Sequence, residues 1–179
     1  MSAAFKSELI SMLPSLRAFA RSLSRNPAQA DDLVQDTLVK ALTNIERFEP
    51  GTNLRAWLFT ILRNHYYSHL RKAKREVEDV EGRMAARLAT RPAQNGAIDL
   101  EDFKLAFAQL APDHREVLTL VGASGCSYEE AAEICGCAVG TIKSRVNRGR
   151  KKLADLLGVD GEDQGALSGV LYAHDTASP

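Results

Sequence analysis

The 179-residue sequence predicts an all-α fold, two small helical domains joined by a flexible linker. Three observations carry that expectation. Apolar residues recur at spacings of three and four in both halves of the chain, the period of an amphipathic helix. No stretch alternates apolar and polar residues as a half-buried strand does. Between the halves, residues 76–98 lose all periodicity and hold acidic groups, alanines, Arg91-Pro92 and Asn95-Gly96. A connection that long without a pattern separates domains. The expected division is a first domain over 1–75, an acidic flexible linker over 76–98, a second domain over 99–157 and a disordered acidic tail over 158–179.

In the first half, Phe5, Leu9, Met12, Leu16, Phe19 and Leu23 share one helical face, and Pro14 should kink or split that helix. Asn26-Pro27 reads as a cap followed by proline at the first helical position. Leu33, Val34, Thr37, Leu38, Ala41, Leu42, Ile45 and Phe48 then form a buried stripe, opposite Asp32, Gln35, Asp36 and Lys40. Glu49-Pro50-Gly51-Thr52-Asn53 is a loop by its turn chemistry. Thr52 or Asn53 can cap a third helix from Leu54 to about Arg75, with Trp57, Leu58, Ile61 and Leu62 inward.

In the second half, Leu100, Phe103, Phe107 and Leu110 form a face that Pro112 ends. Asp113 can cap the next helix, with Val117, Leu118 and Val121 inward and Gly122 as its stop. Ser127-Tyr128-Glu129-Glu130 has capping-box order, and Gly136 suits a left-handed helix end. A last helix runs from Thr141 to about Leu157.

Composition excludes several classes of function. No run of about 18 uncharged apolar residues exists, so no helical membrane span is expected. The opening Met1-Ser2-Ala3-Ala4-Phe5-Lys6-Ser7-Glu8 lacks the order of a secretory signal. Three cysteines make no disulfide framework and suit a reducing cytoplasm. No glycine-rich phosphate loop, nucleophile with a paired base or carboxylate cluster is evident, so no catalysis and no cofactor are expected.

The net charge is zero, with 23 basic and 23 acidic residues, but the charge is unevenly placed. Residues 63–75 carry five basic and no acidic groups; residues 141–152 carry six and none. Solvated helix ends stabilised by the macrodipole are the bland account, and one such block would be unremarkable; two acid-free blocks point to a polyanion. In the second, a helix pair joined by a glycine turn has its basic residues only on the second helix. Small Ala132, turn Gly136 and apolar Ile142 have helix-turn-helix spacing. An ordinary helical hairpin with a solvated basic rim is the bland alternative. In the first block, Tyr66 and Tyr67 lie among cations, a mixture suited to unstacked single-stranded bases. Tyrosines that merely close a core would look the same.

These residues resemble the bacterial group IV, or extracytoplasmic-function (ECF), sigma factors over about residues 5–157. Ala30-Asp31-Asp32-Leu33-Val34-Gln35-Asp36-Thr37 resembles the region-two helix that docks on polymerase. Leu54-Arg55-Ala56-Trp57-Leu58-Phe59-Thr60-Ile61-Leu62-Arg63-Asn64 resembles the promoter-melting helix. Tyr128-Glu129-Glu130-Ala131-Ala132-Glu133-Ile134 and Gly140-Thr141-Ile142-Lys143-Ser144-Arg145-Val146-Asn147-Arg148-Gly149-Arg150 resemble the region-four helix-turn-helix. The details are most similar to the alphaproteobacterial general-stress-response branch.

The resemblance implies a cytoplasmic factor that binds core RNA polymerase and promoter DNA and answers to an anti-sigma factor. Asp32, Gln35, Asp36 and Lys40 would meet polymerase. Asn53, Arg63, Asn64, His65, Tyr67, Arg71 and Lys72 would hold the unpaired minus-ten strand. Thr141, Lys143, Ser144, Arg145, Asn147, Arg148, Arg150 and Lys151 would face the minus-thirty-five duplex. Two other readings remain: a decoy that sequesters an anti-sigma factor, and a stand-alone helix-turn-helix regulator. No metal site is expected. Cys126, Cys135 and Cys137 lack a nearby histidine at ligand spacing, and positive surroundings oppose a cation at His65 and His69.

Overall fold

The computed structural model describes residues 3–49, 51–78 and 100–159, and every regular element among them is helical. The flexible-linker and disordered-tail expectations fall almost wholly outside the described residues.

The split expected at Pro14 falls at Met12, just ahead of the proline. Helix α1 spans Ala3–Ser11 and α2 spans Leu13–Ser24, with the proline in the first turn of α2, where its missing N–H costs no hydrogen bond. Arg25, at φ +58°, closes α2 in a left-handed conformation. Helix α3, Pro27–Thr43, begins as read: the Asn26 side chain accepts from the Gln29 backbone N–H at 3.1 Å. A 3-10 turn over Ile45–Arg47 brings Phe48 back against the Trp57 ring, with centroids 5.2 Å apart. Asn53 caps α4, accepting from the Ala56 N–H at 3.1 Å. This helix spans Leu54–Glu78, longer than expected, and at about 1.5 Å per residue reaches roughly 38 Å. Helices α2, α3 and α4 pack together around Leu16, Phe19, Leu33, Val34, Leu58, Phe59 and Leu62. The Phe19 and Phe59 rings meet edge to face at 5.0 Å. Leu42 departs from the expected buried stripe: it is 41% exposed.

The second half comprises α5 (Leu100–Ala108), α6 (Pro112–Leu118), α7 (Tyr128–Cys135) and α8 (Val139–Leu157). Two expectations fail here. Asp113 does not cap α6; the cap position is Ala111, followed by Pro112, and Asp113 lies inside the first turn. Gly122 does not stop the helix either. The chain widens into a π-helical turn over Thr119–Ala123, closed by a 2.8 Å bond from the Ser124 N–H to the Thr119 carbonyl. That widening buries Thr119, Leu120, Val121 and Gly122 together, so packing outweighs the local stop signal. The capping box forms in both directions between Ser127 and Glu130, and Gly136 takes φ +64°. Gly149 lets α8 cross α6 closely; a Cβ there would lie 3.1 Å from Leu118 Cδ1 and 3.2 Å from His114 Cβ.

The two halves pack against each other. Helix α2 contacts α6 and the π turn, and α4 contacts α7. Their buried apolar residues form one continuous cluster.

Candidate nucleic-acid and polymerase interfaces

The helix-turn-helix is built from the three residues that the spacing singled out. Ala132 and Ile142 are buried where α7 and α8 cross, and Gly136 makes the left-handed turn between them. Ile142, Val146, Gly149, Leu153 and Ala154 form the inner face of α8. Thr141, Lys143, Ser144, Asn147, Arg148 and Lys151 consequently lie exposed. A helix of this width fits a major groove, with its first turns toward base edges and flanking cations toward phosphates. Arg145 and Arg150 are only partly exposed, and Arg145 Nε lies 3.4 Å from Asp113 Oδ2.

The cysteines belong to this module's interior. Cys126 and Cys135 are buried and Cys137 partly so, all as free thiols. Burial pushes the Cys126 thiol up to about 11 and the Cys135 thiol up to about 12. Thiols so held are almost entirely protonated at neutral pH, a packing environment rather than a reactive one.

Helix α4 distributes the first basic block over three directions. His65 turns toward α3: Nε2 lies 2.9 Å from Asp36 Oδ2, and Nδ1 meets the Lys40 ammonium. Arg63 and Tyr67, one turn apart, point to α6. The Arg63 Nε donates to Glu116 Oε1 at 2.7 Å, the Tyr67 hydroxyl donates to Glu116 Oε2 at 3.3 Å, and the guanidinium lies 4.8 Å from the Tyr67 ring centroid. Asn64, Arg71 and Lys72 face outward, Arg71 bonding Ser68 Oγ at 3.1 Å. Asn53, at the head of the helix, donates to the Glu130 carboxylate. The seven residues expected on a single-stranded DNA surface therefore do not form one open face in this conformation. Tyr66 serves structure: half-buried, it donates to the Leu23 carbonyl at 2.8 Å.

Asp36, His65 and His69 bring donor atoms within 4.8 Å of one another, a grouping that helix spacing alone did not reveal because Asp36 comes from α3. The Lys40 ammonium also meets His65 Nδ1, placing a positive charge beside that grouping.

The exposed side of α3 presents Asp32, Gln35, Asp36 and Lys40 as expected, together with Val39 at 62% exposure and Leu42. Both apolar residues were missed as surface groups. Glu116 and Arg115 were also missed. Arg115 is buried, donating from Nε to the Ser22 carbonyl at 3.0 Å and from Nη1 to the Leu110 carbonyl. Their one trace in the sequence is a charged pair directly before inward Val117 and Leu118.

Comparison with known proteins fits this geometry. Residues 9–76 match the family described as Sigma-70 region 2, and residues 100–153 match Sigma-70, region 4. The pair defines a transcription initiation factor of the sigma class, made of the polymerase-docking and promoter-reading modules alone among the described residues. The chain is 58% identical over 158 residues to the ECF RNA polymerase sigma factor EcfG of Rhodopseudomonas palustris, covering 88% of this chain and 87% of that one. It also superposes on the sigma factor RpoE of Bartonella quintana, crystallised with the anti-sigma factor NepR. That match has a TM-score of 0.77 and 57% identity, and covers 89% of this chain and 99% of that one. CnrH in complex with the cytosolic domain of CnrY matches at a TM-score of 0.61 and 29% identity, over 88% and 90% of the two chains. The chain belongs to the ECF sigma factors, which bind core RNA polymerase and direct it to promoters.

Proposed function

We propose that this sigma factor directs polymerase to stress-response promoters from the cytoplasm, without catalysis of its own, and is held in check by an anti-sigma factor. The observation that carries the promoter-reading role is α8. Six of the eight residues assigned to duplex DNA lie on its exposed side, directly above the buried Ala132 and Ile142 crossing. Asp32, Gln35, Asp36 and Lys40 on α3 are assigned to core polymerase. Asn53, Arg63, Asn64, His65, Tyr67, Arg71 and Lys72 are assigned to the unpaired strand, with binding energy rather than bond chemistry opening the duplex. The stress-response role and the anti-sigma partner rest on the likeness to EcfG and to RpoE, whose structure contains NepR. The retained basic α8 argues against a decoy, which has no use for a DNA-reading helix.

Transcription in vitro tests the reading. The purified chain added to core polymerase should yield start-site-specific transcripts from a stress promoter, and a polymerase pull-down should retain it. Specific duplex binding without polymerase retention would identify a stand-alone regulator instead.

A further inference from the structure

In the sequence, His65 and His69 stand in an acid-free block, which opposes a cation. The fold supplies what the block lacks. The two histidines are one turn apart on α4, so they project from the same side of the helix, with ring centroids 4.5 Å apart. Histidines at this spacing can chelate one ion. Asp36 reaches them from α3, its Oδ2 2.9 Å from His65 Nε2. One ligand atom from each of the three lies within 4.8 Å of the other two. A tetrahedral ion bonded at about 2.1 Å holds its ligand atoms about 3.4 Å apart. Small rotations of the exposed Asp36 and His69 side chains close that gap, while the His65 side chain, 9% exposed, is held in place. The base is rigid: α3 and α4 pack together, with Val34, Thr37 and Leu62 buried.

The donor set selects the ion. Two imidazoles and a carboxylate suit zinc and its neighbours in the first transition row, whereas magnesium and calcium take oxygen ligands. Three protein ligands leave a fourth position for water. Asp36 brings one negative charge to a divalent ion. The Lys40 ammonium, at His65 Nδ1, opposes it. That ammonium ends a flexible stem on an exposed residue, so it can swing into solvent. His65 then takes the ion on Nε2 and keeps its proton on Nδ1.

We propose that Asp36, His65 and His69 form a zinc site that ties α3 to α4. The ion binds an arrangement that exists only in the folded chain, so it stabilises the fold. The site stands on its own geometry and does not depend on the polymerase and DNA assignments of Asp36 and His65. Lys40 competes with the ion through charge, and its removal strengthens binding.

The test uses the full chain, stripped of metal by a chelator, with zinc chloride or cobalt chloride as the probe. Calorimetric titration should show one equivalent of zinc bound, and the melting temperature should rise with zinc. Cobalt should give visible d–d bands without thiolate charge-transfer absorption, which separates this site from Cys126, Cys135 and Cys137. His69→Ala, at an exposed position, should weaken zinc binding roughly tenfold or more, at least the loss that changes around a metal's ligands cause, and remove the rise in melting temperature. Lys40→Ala should bind zinc several-fold more tightly. An unaltered chain that shows neither heat nor a melting shift with zinc overturns the proposal. So does thiolate absorption in the cobalt spectrum, or unchanged zinc affinity in a folded His69→Ala chain. Zinc binding that is unchanged or weaker in Lys40→Ala overturns the placement of the ion on His65.

Discussion

Glu116 and Arg63 are 2.7 Å apart yet unequally placed, the carboxylate side chain 1% exposed and the guanidinium 22%. Burial holds the Glu116 carboxyl above the ordinary value of 4.5, outweighing Arg63 and the Tyr67 hydroxyl, which pull it down. Burial also opposes the charge on Arg63, but there the carboxylate more than compensates, and the guanidinium is held above its usual range.

The pH dependence follows from that asymmetry. A carboxyl raised in the folded state binds more protons folded than unfolded. Its contribution is fully present below 4.5 and is lost as pH rises through the folded value. Thermal melts at a series of pH values should show the unaltered chain losing stability relative to Glu116→Gln across that window. A difference that is flat, or that grows with pH, contradicts the assigned direction.

The crossing of α6 and α8 sets two effects of Gly149→Ala against each other. Alanine gains up to about 1 kcal/mol of helix propensity over glycine. Its methyl would stand 3.1 Å from Leu118 Cδ1 and 3.2 Å from His114 Cβ. The leucine tip can yield, but the histidine Cβ is fixed to the α6 backbone, and overpacking costs about 1–3 kcal/mol. The balance should be a net loss of about 1 kcal/mol in denaturant unfolding. A gain in stability would mean that the two helices slide apart without strain.

The three thiols should separate by accessibility. Cys126 and Cys135 are buried, with thiols pushed up to about 11 and about 12, while Cys137 is partly exposed. Iodoacetamide at pH 8 should modify Cys137 first, and the other two should follow only in denaturant. Rapid native labelling of Cys135 would show that the helix-turn-helix core opens readily.

The sequence was most legible where the physics is local. Asn26-Pro27, the Ser127–Glu130 box and Gly136 declare helix ends through bonds spanning three or four residues, and all three hold. The same logic failed at Asp113 and Gly122, where the competing forces are not local. Pro112 starts α6 without a side-chain cap, and burial of Leu120 beside the other half carries the chain through Gly122 in a wider turn. The α8 surface was likewise readable from helical period. The covered state of Arg63 and Tyr67 was not, because their partner lies about fifty residues away and no periodicity encodes that distance.

Two arginines of α8 should behave differently in promoter binding. Arg148 lies exposed among Ser144, Asn147 and Lys151, free to meet a base edge. Arg145 is tied to Asp113 across the α6–α8 contact at 3.4 Å. Arg148→Ala should weaken binding to the preferred minus-thirty-five duplex by about 1–3 kcal/mol and flatten its sequence preference. Arg145→Ala should lower affinity for all duplexes alike and reduce the salt dependence, the mark of a phosphate contact. The partly exposed, solvent-screened Arg145–Asp113 pair should contribute under about 1 kcal/mol to stability, so a binding defect in Arg145→Ala cannot be ascribed to unfolding. Affinities measured on the preferred and a scrambled duplex at several salt concentrations distinguish the two roles. Equal losses on both duplexes for Arg148→Ala would move that residue to the phosphate backbone, and specificity would have to come from Ser144 and Asn147.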